Sequence, residues 1–333
     1  MELYNGYNKE RRWNIKFSVI SSFLGASTDR FNQYNESKTL AQKFELASKI
    51  KGIEALECVF PYEVNDVEET KALMAKYNLG ISAINVNVKK EREFVNGGLT
   101  SSDPEVRAKA VQFIKDGKDF AEAVGADKVT VCPLGDGYEF AFQADNEESW
   151  KYLRETFSAA AEYKPNITLF IEFKPSEIRG TCFLNNASKT ALLIKEIDKP
   201  GLGVTLDYGH ATYGNTNPAE ELSLLQSVKI PYYVHINDND ALWDWDYFCG
   251  SKHPIENLEF VYYLKKFGYD DYLTSDTSPT RWDIVKVFEE NNRFTSKMDK
   301  IVDKMEKDGF EEVKKSKEYM DVWKFIEEHL FAK

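Results

Sequence analysis

The sequence predicts an α/β protein, and more narrowly a (β/α)8 TIM barrel with a helical C-terminal extension. Eight short apolar runs alternate with segments of helical periodicity, at a spacing that suits right-handed βαβ crossovers. The apolar runs are continuous, which is typical of parallel strands covered on both faces. Polar and ionisable residues follow several of these runs directly, and in a barrel the carboxyl ends of the strands meet on one face.

The predicted strands and helices alternate along most of the chain. The strands cover residues 14–20, 52–60, 79–86, 126–132, 167–172, 202–207, 232–237 and 272–276. The helices cover residues 37–51, 67–77, 103–123, 147–163, 189–197, 218–228 and 255–267. A doubly wound open sheet is the alternative, but it needs a glycine-rich phosphate turn after its first strand, and residues 21–25 (SSFLG) are not GxGxxG.

Local signals set several boundaries. Pro61 ends the second strand, and Asp103 with Pro104 marks a helix start with proline just inside it. Residues 283–332 are predicted to form the last barrel helix followed by further helical segments. We therefore predict a barrel over residues 1–285, including a short polar leader, and a C-terminal helical extension over residues 286–333.

Composition narrows the classes of partner. The net charge is −12, from 55 acidic and 43 basic residues, so neither nucleic acid nor an anionic membrane is expected as a partner. The N-terminus has no apolar signal core, and no window reaches the length of a membrane span. The four cysteines contain no CxxC pair, which argues against a cysteine-based zinc site. We expect a cytoplasmic protein.

The last four predicted strands each end in a candidate metal ligand. These residues are Glu172, Asp207, His235 and Asp276. Buried carboxylates in a group raise each other's pKa unless a cation compensates them. An oxygen-rich set with one imidazole and no thiolate suits Mn²⁺, Mg²⁺ or Co²⁺. The sequence therefore predicts a divalent metal at the mouth of the barrel.

A second group of reactive residues lies close by in the sequence. His210, Asp244 and Asp246 are candidates for a second metal site, although Asp244 and Asp246 fit solvated loop residues equally well. Lys174 lies two residues beyond Glu172 and points the same way if the strand geometry persists. Its ammonium group could polarise a substrate oxygen. We predict Lys174, His210 and Glu172 as the catalytic residues.

Five further residues are predicted to contact the substrate. They are Glu57, Tyr138, Asn237, Trp243 and His253. Tyr138 and Trp243 would form walls of the pocket from the loops after the fourth and seventh strands. His253 could reach the mouth from the latter loop. Each has a structural alternative, because loop aromatics commonly serve only in packing and a surface histidine is equally plausible.

The motifs at the strand ends resemble those of xylose-isomerase-like barrels, most closely the two-metal rhamnose and xylose isomerases. The segments that carry the resemblance are residues 171–175 (IEFKP), 206–210 (LDYGH), 234–238 (VHIND), 244–246 (DWD) and 275–281 (SDTSPTR). The resemblance implies a structural metal on Glu172, Asp207, His235 and Asp276, and a mobile metal on His210, Asp244 and Asp246. It also implies that Lys174 contacts a substrate oxygen and that the protein is a homo-oligomer, a dimer or tetramer. Mn²⁺ is the expected metal, with Mg²⁺ or Co²⁺ as alternatives.

Two features depart from that pattern. The isomerases carry a histidine in the first half of the barrel that assists ring opening, whereas the histidines here are at positions 210, 235, 253 and 329. The pair Asp244 and Asp246 also falls about one residue out of register with the isomerase motif. Related epimerases keep the four-ligand site, usually lack the Asp-x-Asp pair, and have glutamate where Asp276 stands.

The first functional hypothesis is a divalent-metal-dependent isomerase or epimerase of an unphosphorylated sugar or sugar derivative. The second is a lyase, because the catalytic subunits of C-glycoside deglycosidases are similar to this family, bind Mn²⁺ and cleave 3-oxo-glycosides with a small partner subunit. An endonuclease is disfavoured by the charge of −12. A non-catalytic sugar-binding protein is the remaining alternative.

Overall fold

The computed structural model describes residues 13–29 and 31–331, so most of the predicted leader lies outside the described residues. Eight parallel strands close into a barrel in which neighbours in the chain are neighbours in the sheet and the last strand pairs with the first. The strands are β1 (Lys16–Ile20), β2 (Ile53–Phe60), β3 (Gly80–Val86), β4 (Lys128–Val131), β5 (Thr168–Glu172), β6 (Leu202–Asp207), β7 (Tyr232–Ile236) and β8 (Tyr272–Ser275). The predicted (β/α)8 architecture is confirmed.

Side-chain caps fix the start of most helices. Asp66, Asp103 and Asp145 each accept hydrogen bonds from backbone N–H groups of the following first turn. The helices are α1 (Leu40–Ala47), α2 (Val67–Tyr77), α3 (Pro104–Val124), α4 (Asn146–Glu162), α5 (Ala187–Ile197), α6 (Tyr208–Tyr213), α7 (Pro218–Ser227), α8 (Pro254–Phe267), α9 (Ile284–Lys307), α10 (Phe310–Lys315) and α11 (Tyr319–Leu330). The short α6 is absent from the predicted set. It follows β6 directly and is capped by Asp207.

Large side chains fill the interior of the barrel beneath the site. The rings of Phe170 and Tyr233 lie 5.8 Å apart, and with Ala83 they form a buried cluster. Gly203 makes room for them, because a Cβ atom there would stand 2.5 Å from the Phe170 ring. A larger apolar cluster fills the space between the strands and the surrounding helices. The barrel is therefore a packed core that holds the strand ends in fixed positions.

The helix α9 joins the barrel to the C-terminal helices without a break. Its first residues, Ile284 and Phe288, belong to the main core, whereas Met298 and Val302 pack in a second cluster with α8, α10 and α11. The boundary predicted between residues 285 and 286 thus falls within the first turn of one continuous helix. Among the described residues, no helix is both long and apolar enough to cross a membrane.

Candidate metal centre and active site

The four predicted metal ligands come together at the carboxyl ends of β5 to β8. One ligand atom from each of Glu172, Asp207, His235 and Asp276 lies within 4.8 Å of the others. His235 Nδ1 stands 3.5 Å from Glu172 Oε1, 3.5 Å from Asp276 Oδ2 and 3.9 Å from Asp207 Oδ2. Only Asp276 is partly exposed. These four side chains are here called the ligand group.

The chemistry of the ligand group fits a divalent cation. His235 Nδ1 is buried and has no hydrogen-bond partner. Burial raises the pKa of Asp207 to about 7, and the neighbouring carboxylates of Asp276 and Glu172 add to the rise. Burial lowers the pKa of His235, but the charges of Glu57 and Glu172 outweigh it, so that this pKa lies well above its usual range. The group therefore requires a positive charge, which a proton on His235 or a metal ion can supply.

Glu57 orients His235 from the opposite side of the barrel. Glu57 Oε2 lies 3.0 Å from His235 Nε2, and Glu57 Oε1 accepts hydrogen bonds from Asn85 and Thr130 at 2.9 and 2.6 Å. Because a carboxylate only accepts, the hydrogen sits on Nε2 and Nδ1 faces the ligand group. Glu57 is fully buried and does not line the central cavity, so the structure gives it a position behind the metal ligand instead of the predicted contact with substrate.

Asn237 has a similar supporting position. Its amide Nδ2 donates to both oxygens of Asp207 at 3.2 and 3.0 Å, and its Oδ1 accepts from the Gly209 N–H at 2.7 Å. A Cβ atom at Gly209 would lie 2.6 Å from that Oδ1, so glycine is required for this approach. Asn237 is buried and also lies away from the cavity wall. The contacts of Asn237 thus hold the carboxylate of Asp207, a predicted ligand.

In the second predicted ligand set, the negative charge of Asp244 is neutralised by cationic side chains of the protein. Asp244 Oδ2 lies 2.8 Å from Lys174 Nζ and 3.2 Å from His210 Nε2. His210 Nδ1 lies 2.9 Å from the carbonyl oxygen of Phe173, which only accepts, so Nδ1 carries a hydrogen. Burial lowers the pKa of His210, but Asp207 and Asp244 outweigh it and raise the pKa to about 10. The geometry therefore neutralises Asp244 with a lysine and a histidine.

Asp246 lies in the same loop in a left-handed conformation, with φ of 49°. Its backbone carbonyl accepts a hydrogen bond from the Ser278 N–H at 2.9 Å, which ties the loop to the segment after β8. Burial raises the pKa of its carboxyl group well above the ordinary value, and Asp244 and Asp276 add to the rise. Among the described residues, the ligand group is the cluster whose four ligand atoms converge as a metal requires.

A cavity of about 500 Å³, here called the central cavity, opens above the ligand group. One side is formed by predicted residues, including Glu172, Lys174, His210 and Asp276. The opposite side is formed by residues that the strand-end pattern did not predict: Phe23, Tyr62, Glu63, Asn85, Lys89 and Lys90. These residues lie in the loops after β1 to β3 or at the end of β3. Their position just beyond a strand was the signal that could have identified them.

The remaining predicted substrate residues lie elsewhere. The Trp243 ring packs on Tyr213 with centroids 5.4 Å apart. His253 Nδ1 lies 2.8 Å from Asp238 Oδ1, and Asp238 also accepts the backbone N–H of His253. Tyr138 lines a neighbouring cavity and not the central one. Trp243 and His253 are half-buried in structural contacts, and neither lines either cavity.

Residues 44–304 match the family described as the xylose isomerase-like TIM barrel. The chain belongs to this family. It is 24% identical over 204 residues to a xylose isomerase of Thermus thermophilus, covering 60% of this chain and 52% of the relative. It is 30% identical over 180 residues to an uncharacterised protein of Methanocaldococcus jannaschii, covering 48% and 60% of the two chains. The chain thus spans about half the length of the xylose isomerase that it matches.

Solved structures of sugar epimerases share this fold. An L-ribulose 3-epimerase superposes with a TM-score of 0.70 at 18% identity, covering 88% of this chain and 97% of the epimerase. A D-tagatose 3-epimerase-like protein superposes with a TM-score of 0.66 at 23% identity, covering 86% and 100%. A 3-keto-D-glucoside 4-epimerase from E. coli gives 0.65 at 16% identity, covering 86% and 99%. At these identities the similarity establishes the fold of the xylose isomerase-like barrel.

Proposed function

We propose that this protein is a metal-dependent isomerase or epimerase of an unphosphorylated sugar or sugar derivative. The observation that carries the proposal is the ligand group at the floor of the central cavity, with its unpartnered imidazole nitrogen beside three carboxylates. An oxygen-rich site with one imidazole favours Mn²⁺, with Mg²⁺ and Co²⁺ as alternatives. The similarity to xylose isomerases and to sugar epimerases supports the same class of substrate.

A single metal ion is proposed. Glu172, Asp207, His235 and Asp276 would hold it, and when bound it would polarise vicinal sugar oxygens as a Lewis acid. Asp244 is engaged by Lys174 and His210, so it is not available as a ligand unless both cations move away. This arrangement favours proton transfer next to a carbonyl over the hydride shift of two-metal isomerases.

The chain supplies groups for that proton transfer. Glu172 and Asp276 present carboxylates to the cavity from different strands, and either can accept a proton from a sugar carbon or return it. The Lys174 ammonium, held between Glu177 and Asp244 at 2.6 and 2.8 Å, is placed to donate a hydrogen bond to a sugar oxygen. His210 keeps Asp244 in position for that lysine.

The decisive experiment combines metal removal with isotope exchange. Chelated protein is tested on a panel of aldoses and ketoses in D₂O, before and after Mn²⁺ is restored. We expect activity only with metal, and deuterium on the product carbon because a proton exchanges with solvent. Full activity after chelation, with metal content verified, would refute the metal dependence. Product without deuterium would favour the hydride shift.

A lyase acting on 3-oxo-glycosides is the second candidate. The observation that favours it is a further cavity beside the central one, which gives room for a group attached to the reacting sugar. Incubation with a 3-oxo C-glycoside, with and without a small β-rich partner subunit, tests it. Release of the aglycone supports the lyase, and intact glycoside under both conditions argues against it.

The proposed partner is a small sugar or glycoside, and the charge of −12 argues against nucleic acid or an anionic membrane. Two expectations from the sequence stay predictions. The first is a homo-oligomer, or a hetero-oligomer with a small subunit, and the second is a cytoplasmic location.

A further inference from the structure

A second cavity of about 620 Å³ lies beside the central cavity on the same face of the barrel. It is here called the outer cavity, and it is formed by the loops after β3, β4 and β5 and by the start of α4. The two cavities are adjacent, with Leu134 in the lining of both.

The wall of the outer cavity has a defined structure. Three short antiparallel strands, Gly137–Tyr138, Ser176–Glu177 and Gly180–Cys182, form a small sheet there. A Cβ atom at Gly137 would lie 2.1 Å from the Thr181 carbonyl oxygen, so the strands approach closely only because this residue is glycine. The neighbouring buried Asp136 accepts hydrogen bonds from the N–H and the hydroxyl of Thr100 at 2.6 and 2.7 Å. These contacts join the loop after β4 to the loops after β3 and β5.

The lining of the outer cavity has the chemistry of a neutral sugar site. Amide and hydroxyl side chains and two aromatic rings face it, including those of Asn96, Ser102, Gln143, Thr181, Tyr138 and Tyr152. Four carboxylate residues also line it, and none of the described lining residues is lysine or arginine. Carboxylates and amides bind hydroxyl groups. Ion pairs with Arg179 and Lys174 compensate two of the carboxylates, and the other two would repel a phosphate or carboxylate on the ligand. The lining thus favours a hydroxyl-rich, uncharged ring.

The outer cavity is connected to the proposed catalytic lysine. Glu177 lines the outer cavity, and its carboxylate holds Lys174, which lines the central cavity. A ligand that binds in the outer cavity therefore contacts a residue that positions the ammonium group. We propose that the outer cavity is a subsite for a second neutral sugar ring, so that the substrate is a glycoside of two sugar units and not a free monosaccharide. This inference rests on the proposed function, because it extends the substrate of the same site.

The test compares matched sugars on the Mn²⁺-loaded protein. Turnover and calorimetric affinity are measured for lactose, cellobiose and maltose, and for glucose and galactose. We expect the best disaccharide to exceed the best monosaccharide by about tenfold or more in kcat/KM, mainly through KM, as one or two net hydrogen bonds would give. Tyr138→Ala and Ser102→Trp should remove that advantage, so that kcat/KM for the disaccharides falls to that for the monosaccharides. Phe142→Ala, at an exposed residue outside the lining, is the control.

The outcomes separate this inference from the proposed function. If no sugar is turned over, the proposed function fails, but tighter binding of disaccharides that Ser102→Trp abolishes would still support the subsite. Equal affinity for disaccharides and monosaccharides overturns the subsite, even when monosaccharides are turned over. An equal loss for both classes of sugar in Tyr138→Ala and Ser102→Trp also overturns it. Tighter binding of phenyl glucoside than of any disaccharide contradicts the assignment of a hydroxyl-rich ring.

Discussion

The two halves of the barrel contribute differently to the site. The strands β5 to β8 provide every member of the ligand group, together with the Lys174–Asp244–His210 contacts. The strands β1 to β4 provide no ligand to this group, but their residues hold His235 from behind and form the opposite wall of the cavity. The comparison indicates that the second half supplies the predicted ligands and the proposed catalytic lysine, while the first half supports His235 and forms part of the cavity wall.

The largest effect is expected from the second half. Asp207→Asn removes one of the three carboxylates from the ligand group. We therefore expect Mn²⁺ affinity to fall by more than about 100-fold, and activity to fall with it. Loss of a residue that only supports a ligand should have a smaller effect. Metal content and kcat are measured on purified protein. Asp270→Asn, at an exposed carboxylate next to the opposite end of β8, is the control. Full Mn²⁺ occupancy in Asp207→Asn would show that the ligand group is misassigned.

The next largest effect is expected from the first half. Glu57→Gln removes the charge that orients His235 and stabilises its Nε2 hydrogen, so Mn²⁺ affinity should fall by about 10- to 100-fold. Titration calorimetry measures it, with the thermal midpoint as a check on folding. Glu54→Gln, at an exposed residue near the start of β2, should bind as the wild type does. An unchanged affinity in Glu57→Gln would mean that the first half only shapes the cavity.

A smaller effect on rate, and no effect on stoichiometry, is expected at Asp244. Asp244→Asn weakens the hold on Lys174, so kcat should fall about tenfold through misplacement of the ammonium group. One Mn²⁺ per chain should bind in both proteins. A stoichiometry that falls from two to one in the variant would instead show that Asp244 holds a second metal. Native mass spectrometry with added Mn²⁺ distinguishes these results.

The remaining prediction concerns stability instead of activity, and it lies in the loop after β4. Burial raises the pKa of Asp136 from 3.8 to about 6. Because the pKa is higher in the folded state, the protonated carboxyl group stabilises the folded protein fully below about pH 4. This contribution is lost as the pH rises through about 6. The wild type should therefore lose stability relative to Asp136→Asn over this interval, by on the order of 3 kcal/mol. Urea unfolding at pH 4 and pH 7 measures the difference, and parallel values for both proteins would contradict it.

The fold and the convergence of the four predicted ligands could be predicted because both follow from the regular order of the strands. Continuous apolar runs identify buried parallel strands, and a carboxylate or histidine at the end of each of four successive strands identifies the mouth of the barrel. The buried polar residues that support the ligand group could not be predicted in this way. Glu57 and Asn237 are polar residues near strand ends, but Glu57 lies below the cavity floor and Asn237 turns toward Asp207.

The loops were predictable only in part. Lys89 and Tyr62 lie in segments without a repeating pattern, so their convergence on the cavity depends on loop conformation. The helix α6 has six residues, which is too short for a periodic signal, and it depends on a cap from Asp207. The long α9 crosses the predicted boundary because one amphipathic helix serves two cores in succession.

The contact between Glu57 and His235 joins positions 178 residues apart. During synthesis, the three carboxylates and the imidazole cannot reach their final arrangement until β7 and β8 have been made and the sheet has closed against β1. If the proposed metal site is correct, tight metal binding would therefore require the assembled barrel. An incomplete or interrupted chain would lack both the last ligand and the correctly oriented imidazole, so metal occupancy would report that the barrel has assembled.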